Sequence, residues 1–477
     1  MEELKEKTAK GIAWGAVNNG AMQVLNLLFG IVLARILSES DYGIVALLSI
    51  FTTLAGCIQA AGFSQALANL NPPTRRDYNA VFWFNILVGS FLYVILFFCA
   101  PLIADFFRQP VLTDLSRVVF LSIPLSALGV VPHAKLWIEL KNRQLAIASI
   151  FSLAVSGCVG ILLAFHDYGY WSLVWQQLVF IGLNSVVKSW FTRWCPMFPV
   201  DFSPIRRMFG FSSKMLLTQI LLVISQNVQT FIFGRLLPIA VVGQFNQANK
   251  WTNMGSYFIS STMNQVAQPV LTKSGEDAER RERVFRKMLR FTSFVSFPLI
   301  LGLALVSHEF IVLTIGEKWI PSVQMLQILC VGGAFIPLHV LFQNFIISSG
   351  RSDINLLVFT LQTVLQIGLT LGLARWGIIA MITGFSVLNV LFTICWYVSM
   401  LKVRCIAFLS VLKDTVPFAV IAAAVMGVTY FATIWATNLW LLLSMRVCLA
   451  ALLYLGTMKL LRVKTLEECI HFVFHRQ

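Results

Sequence analysis

Apolar stretches of roughly 20 residues follow one another along nearly the whole chain, separated by short runs that hold most of the charges. An α-helix needs ~20 apolar residues to cross a hydrocarbon core. Windows of about 19 residues divide the chain into about fourteen predicted spans. They lie near 10–36, 43–70, 79–104, 115–140, 144–166, 170–194, 207–236, 240–271, 288–312, 321–349, 353–375, 377–400, 415–436 and 439–461. The stretch around Trp171–Trp194 is the least clean of them. These spans leave no room for a sizeable water-soluble domain. The expected fold is therefore an all-α, polytopic membrane protein with about 14 transmembrane helices.

The first twelve spans read as a duplicated six. Arg35-Ile36-Leu37 followed by Gly43 is matched by Arg235-Leu236-Leu237 followed by Gly243, at an offset of 200 residues. Ile123-Pro124-Leu125 is matched by Ile336-Pro337-Leu338, each inside the fourth span of its half. A unit with an even number of spans repeats in the same membrane orientation, so the halves would be related by an axis along the membrane normal. The expected division is a six-helix lobe over 1–200, a second over 201–412, and two extra helices with a tail over 413–477. The junction is placed at Pro196–Pro204.

Polar positions inside the spans follow a helical period. In the eighth span Asn246, Lys250, Asn253, Tyr257, Ser260, Asn264 and Gln268 recur at intervals of three and four, which lines one helix face. The first span carries Asn18, Asn19, Gln23 and Asn26. The seventh has Lys214, Thr218, Ser225 and Gln229 in register, and the second has Thr52, Gln59, Gln65 and Asn69. Spans one and two correspond to seven and eight in the duplication, so four polar faces point to one aqueous cavity at the repeat interface. Any single Asn or Gln is more simply read as interhelical glue. The eighth-span stripe is too long for that role. A lysine in mid-span is costly and faces a cavity or a partner. No acid lies in mid-span on these four helices, so Lys250 reads as a receptor for an anionic substrate, with Lys214 beside the cytoplasmic end as a weaker candidate. Arg446 falls inside a span outside the duplicated unit, where snorkelling to the interface competes with burial.

Composition sharpens the class. The 477 residues are 58% hydrophobic and 12% charged, against about 45–50% and ~25% in soluble chains. The 36 Lys and Arg outnumber the 21 Asp and Glu, for a net charge of +15. Most of them, such as Lys5, Arg75, Arg76, Lys141, Arg206 and Arg283, fall in alternate loops on the side of the N-terminus. That is the positive-inside pattern, so both termini are expected in the cytoplasm and nucleic acid is not an expected partner. Met1–Lys10 reads as a charged leader before an uncleaved first span, and Thr465–Gln477 as an interfacial helix or a loose end. The nine cysteines form no CxxC, so neither a disulfide framework nor a zinc site is expected. No phosphate-binding loop, HExxH or nucleophile elbow occurs, which argues against an enzyme; no cofactor or metal is expected. The acids, Glu309 among them, cluster near span ends, and lone His133 reads as structural, so no coupling-ion site is named.

The opening Lys-Gly-Ile-Ala-Trp-Gly-Ala at 10–16, and the run from Gly30 through Ala34-Arg35-Ile36-Leu37 to Asp41-Tyr42-Gly43, resemble polysaccharide-export flippases. The chain looks like a Wzx-type O-antigen, lipopolysaccharide or colanic-acid flippase of the multidrug/oligosaccharidyl-lipid/polysaccharide superfamily. The resemblance implies two six-helix lobes alternating between inward-open and outward-open states in a bacterial inner membrane. It implies movement of an undecaprenyl-pyrophosphate-linked oligosaccharide from the cytoplasmic to the periplasmic leaflet. The implied partners are that glycolipid, membrane lipid and the polysaccharide polymerase machinery. Lipid II flippases carry several cavity arginines, which spans one and two lack here. The alternatives are a cation-coupled multidrug exporter of the same superfamily and, further off, a polytopic polymerase or glycosyltransferase. The expected substrate cavity comprises Lys250, Lys214, Asn246, Asn253, Tyr257, Asn264, Gln229, Asn19, Gln23 and Asn26.

Overall fold

The structure is a computed structural model that describes residues 2–463 and 466–467, except 61–62, 64–65, 68–69, 71–72, 199, 274–277 and 403–405. Gln65, Asn69 and the C-terminal segment from Cys469 onward, on which part of the sequence reading rests, lie outside the described residues. Helix occupies each of the predicted spans, at least in part. Eleven segments among the described residues are long and apolar enough to cross a membrane. The chain is an all-α, multi-pass membrane protein. Two compact units divide between Gly243 and Gln244.

The first unit holds α1 (Glu2–Ile36), α2 (Glu39–Ala60), α3 (Arg75–Phe107), α4 (Leu112–Val119), α5 (Ser122–Ile138), α6 (Asn142–Phe165), α7 (Tyr170–Thr192) and α8 (Ser203–Leu236), and it ends in the first turn of α9 (Ile239–Lys273). Helix α6 packs against α1 and α7, α5 against α3 and α7, and α8 against α2 and α3. Phe63, Leu67, Val81, Val131, Ala134 and Met208 form one buried core among them. Close approach depends on small residues: a Cβ at Gly129 would lie 2.6 Å from the Ser185 hydroxyl oxygen. Thr74 and Asp77 cap α3 reciprocally, Thr74 N–H donating to the Asp77 carboxylate at 2.8 Å and Asp77 N–H to the Thr74 hydroxyl at 3.3 Å. The Asn79 amide then exchanges two 2.8 Å hydrogen bonds with the Met197 backbone, and Arg76 pairs with Asp201. The segment expected as a lobe junction is thus strapped onto α3.

The matched motifs have matched geometry. Helix α1 ends at Ile36 and α2 begins at Glu39; α8 ends at Leu236 and α9 begins at Ile239. In each case a two-residue connection follows, closed by a 2.8 Å hydrogen bond from Leu37 N–H to Leu33 O and from Leu237 N–H to Phe233 O. Ser38 N–H donates to the Asp41 carboxylate at 2.8 Å at the start of α2, whereas Pro238 occupies the equivalent position before α9. Gly43 and Gly243 then sit in backbone-to-backbone contact within the first unit. A Cβ on Gly43 would meet the Ile239 carbonyl oxygen, and one on Gly243 would meet that of Glu39 and lie 3.0 Å from the Gly43 nitrogen.

The second unit continues α9 and adds α10 (Ala278–Leu305), α11 (Ser307–Thr314), α12 (Ile320–Gly333), α13 (Ile336–Ser348), α14 (Ser352–Gly372), α15 (Gly377–Leu401), α16 (Phe408–Thr433) and α17 (Leu439–Leu460). Helix α10 is its axis, packing against α16, α12 and α13, while α15 covers α12 and α14. Trp319, Trp396, Phe285, Phe297, Phe342 and Phe392 fill the core. Arg281 donates to the Ser348 hydroxyl at 2.8 Å and to the Phe345 carbonyl at 3.3 Å, satisfying the end of α13. At the start of α14, Arg351 donates to Asp353 at 3.0 Å, which holds its guanidinium above its ordinary range.

One span differs from its expected form in both units. The interval 115–140 is two helices, α4 and α5, broken just before Ile123-Pro124-Leu125, and 321–349 is α12 and α13, broken just before Ile336-Pro337-Leu338. Proline has no N–H to donate and is favoured in the first turn of a helix, where that donor has no partner anyway, so each motif suits a helix start. Hydropathy sees one apolar run and misses the break.

Candidate functional site

Helix α9 is rich in amide and hydroxyl side chains, and the structure sorts its polar residues into two faces. Thr252 donates to the Ala248 carbonyl at 3.0 Å and lies 3.9 Å from Cys330 Sγ, and Ser256 donates to the Gly333 carbonyl at 3.1 Å. That buried face is glue, binding α9 to α12. The other face carries Asn253, Tyr257 and Asn264, all exposed, with Asn246 and Lys250 half-buried. An exposed group at this depth faces either lipid or water. Amides and an ammonium pay several kcal/mol to face hydrocarbon, about 2.5–3.5 kcal/mol for a central lysine, so this face meets water.

Lys250 lies about 16 Å along α9 from its first residue at 1.5 Å per residue. Its Nζ sits 5.6 Å from the centre of the Trp251 ring, which itself packs edge-on against Phe310 at 4.9 Å. No carboxylate among the described residues lies within ion-pair distance of it. The ammonium is thus held beside an aromatic face with no counter-ion among the described residues. Tyr257 is 55% exposed, which leaves its ring free for stacking. Asn264 behaves differently, because its Oδ1 accepts from Asn344 Nδ2 at 2.8 Å. It belongs partly to helix packing.

On α1, Asn19 and Asn26 are exposed and Gln23 is half-buried, so this face too is open. On α8, Gln229 is 5% exposed and its Nε2 has no hydrogen-bond partner among the described residues. The Lys214 side chain lies outside what the structure describes, although its backbone is helical in α8. Among the described residues no three His, Cys, Asp or Glu converge as metal ligands, and the described cysteines are free thiols.

Three polar groups take roles that the sequence reading does not assign them. Gln247 is 1% exposed beside the open face of α9, with both amide atoms lacking partners among the described residues, a setting that suits a buried water. Gln59 spans helices: its Nε2 donates to the Ile123 carbonyl at 3.2 Å, and its Oε1 accepts from Ser126 at 2.7 Å. Thus α2 is fixed to the break before α5. The third is ionic. Arg446 on α17 donates to Glu309 on α11 at 2.8 Å and to the Leu305 carbonyl at 3.1 Å, and its guanidinium lies over Tyr430 at 5.2 Å. Snorkelling is therefore not its role. At the other end of α10, Asp414 on α16 takes Arg286 at 2.6 Å and Arg290 at 3.5 Å. One clamp ties α17 to α11 and to the end of α10, and the other ties α16 to α10. An apolar cleft of about 520 Å³ between α10, α16 and α17, lined by Phe294, Pro298, Val447 and Leu455, ends on Arg446.

Comparison with known proteins places this geometry. A family described as "Polysaccharide biosynthesis protein" matches residues 32–324. A lipopolysaccharide biosynthesis protein, WzxC of Escherichia coli (strain K12), is 25% identical over 407 residues, covering 84% of this chain and 82% of its own. An uncharacterized membrane protein of the cps region of Klebsiella pneumoniae is 29% identical over 342 residues, 69% of each chain. Among solved structures, the lipid II flippase MurJ in an inward closed conformation superposes with a TM-score of 0.75 at 14% identity, covering 98% of this chain and 100% of that one. An inward-facing multidrug-resistance transporter of the MATE family reaches 0.65 at 16% identity, covering 80% and 94%. The fold is that of these transporters.

Proposed function

Because the chain belongs to the polysaccharide biosynthesis protein family, we propose that it is a flippase for a lipid-linked oligosaccharide. It carries an undecaprenyl-pyrophosphate-linked glycan from the cytoplasmic to the periplasmic leaflet of a bacterial inner membrane by alternating access, with both termini cytoplasmic. The observation that carries this reading is the water-facing side of α9, where Asn246, Lys250, Asn253 and Tyr257 present a cation, amides and a phenol ring in mid-span. A glycan pyrophosphate is polar at every point, and no bilayer admits it without such a surface. The ammonium of Lys250 receives the pyrophosphate, the amides of α9 and α1 hydrogen-bond the sugars, and Tyr257 stacks on a sugar ring. The polyprenyl tail stays in lipid throughout. No bond is made or broken.

The six-helix lobes 1–200 and 201–412 are the proposed moving bodies, with Lys214, Gln229, Asn19, Gln23 and Asn26 completing the substrate path. Asn264, Oδ1-bonded to Asn344, orients α9 within it. The test is flipping of an undecaprenyl-pyrophosphate oligosaccharide in proteoliposomes without ATP. A charged hydrogen bond of ~1.5–3 kcal/mol makes Lys250→Ala about 10–100-fold slower at equal protein, with Lys250→Arg recovering part of the rate. Lipid-linked sugar left in place while a cationic dye is expelled would assign the chain to drug export.

A further inference from the structure

The reciprocal contact at Gly43 and Gly243 has no part in binding and is too specific to be incidental. Residues 39 and 43 lie 200 positions before 239 and 243, and the contact obeys the same offset in both directions: Gly43 faces the Ile239 carbonyl, and Gly243 faces the Glu39 carbonyl. Two helix starts related by the internal repeat thus meet across a local two-fold, entirely within the first compact unit. Each glycine replaces a Cβ with a hydrogen that points at a carbonyl oxygen, a weak Cα–H···O contact of the kind that draws helices together where side chains are absent. No other residue type fits: the Cβ would lie 3.1 Å from the Ile239 carbonyl carbon at one site and 2.8 Å from that of Glu39 at the other.

A second tier lies directly below. Phe231 on α8 stacks on Phe106 at 5.1 Å and meets Phe107 edge-on at 5.4 Å and Phe51 of α2 at 6.4 Å. Arg235 lies over the Phe106 ring at 5.5 Å. Gly234 completes the tier, since a Cβ there would meet Leu47 and lie 3.0 Å from the Phe107 ring. Backbone contact at the helix starts and aromatic packing beside them thus bring α2, α3, α8 and the start of α9 together.

We propose that the Gly43–Gly243 contact, with the Phe51–Phe106–Phe107–Phe231 tier beneath it, is the gate that seals the outer end of the substrate path. The gate rests on the transporter reading above and on the topology that places residues 37–43 and 237–243 at the periplasmic side. It opens when the two helix starts part, and it closes only because both positions lack a side chain.

The test is thiol accessibility from outside. An Asn26→Cys reporter on the open face of α1 is treated with a membrane-impermeant maleimide in right-side-out vesicles, and labelling at position 26 is read by peptide mass. Gly43→Ala and Gly243→Ala each raise the labelling rate about tenfold, the ratio given by ~1.4 kcal/mol of overpacking. The double variant gains little more, because helices already parted accept the second methyl freely. Gly182→Ala on α7, where nothing lies within 4 Å, controls for glycine replacement in a helix and labels as the parent does. Equal labelling of the parent and both gate variants overturns the gate. Labelling needs no glycolipid, so a parent that moves no lipid-linked sugar refutes the substrate while leaving the gate to be judged on accessibility alone.

Discussion

Arg446 and Glu309 are 137 residues apart in sequence and 2.8 Å apart in space, each nearly removed from its surroundings. Removing one partner leaves a buried charge without compensation, which costs about 3–5 kcal/mol. Glu309→Gln should therefore lower the thermal unfolding midpoint in detergent sharply, and a paired Glu309→Leu/Arg446→Leu variant should regain most of the loss. A paired variant as unstable as the single one would mean that Arg446 acts through Leu305 and Tyr430 instead. At this scale the sequence is legible where a residue is set by its neighbours on the same helix. The three-and-four spacing puts Asn253 and Tyr257 on an exposed face with Asn246 and Lys250 half-buried beside them, while Ser260 of the same stripe is buried. What one chain cannot display is phase relative to a partner. Gln247 and Thr252 look as polar as Asn246 and Asn253 in sequence, yet one turns into packing and the other outward, because a step of 100° per residue puts adjacent positions on different faces. Period alone puts Asn264 in the cavity, and Asn344 from another helix holds it.

At the scale of the helix, small residues decide which neighbours are possible. A Cβ on Gly332 of α12 would stand 2.8 Å from the Ser386 Cα and 3.0 Å from its carbonyl on α15. Backbone atoms cannot rotate aside. Gly332→Ala should thus destabilise the protein by about 1–3 kcal/mol, even though alanine is the better helix former, whereas Gly368→Ala on α14 meets nothing within 4 Å and should be neutral or slightly stabilising. Comparing their unfolding midpoints in detergent checks both signs. Span positions were legible because a bilayer demands long apolar runs with their backbone bonds internal. The breaks inside two of those runs were not, since a proline in the first turn leaves hydropathy untouched. The same logic explains why α9 falls outside the segments that pass as membrane spans by apolarity: the polar face that makes it useful reduces the signal that would reveal it.

For the whole molecule, charge asymmetry makes a definite prediction. With both termini cytoplasmic, a green fluorescent protein fused to either end should fluoresce, and alkaline phosphatase fused at Arg375 should be active outside; activity at both ends instead would invert the topology and with it the direction of transport. Duplicated motifs carry a further mechanical consequence. The connections Leu37–Ser38 and Leu237–Pro238 are only two residues long, and an extended residue spans at most ~3.3–3.6 Å, so neither joint has slack. Each helix pair must then tilt as a single rigid arm. The 22 residues of α2 make an arm of about 33 Å, so a tilt of about 10° displaces its far end by about 6 Å. While the helix starts stay in contact at a fulcrum where no side chain intervenes, that swing becomes a doorway at the opposite end wide enough for a sugar ring.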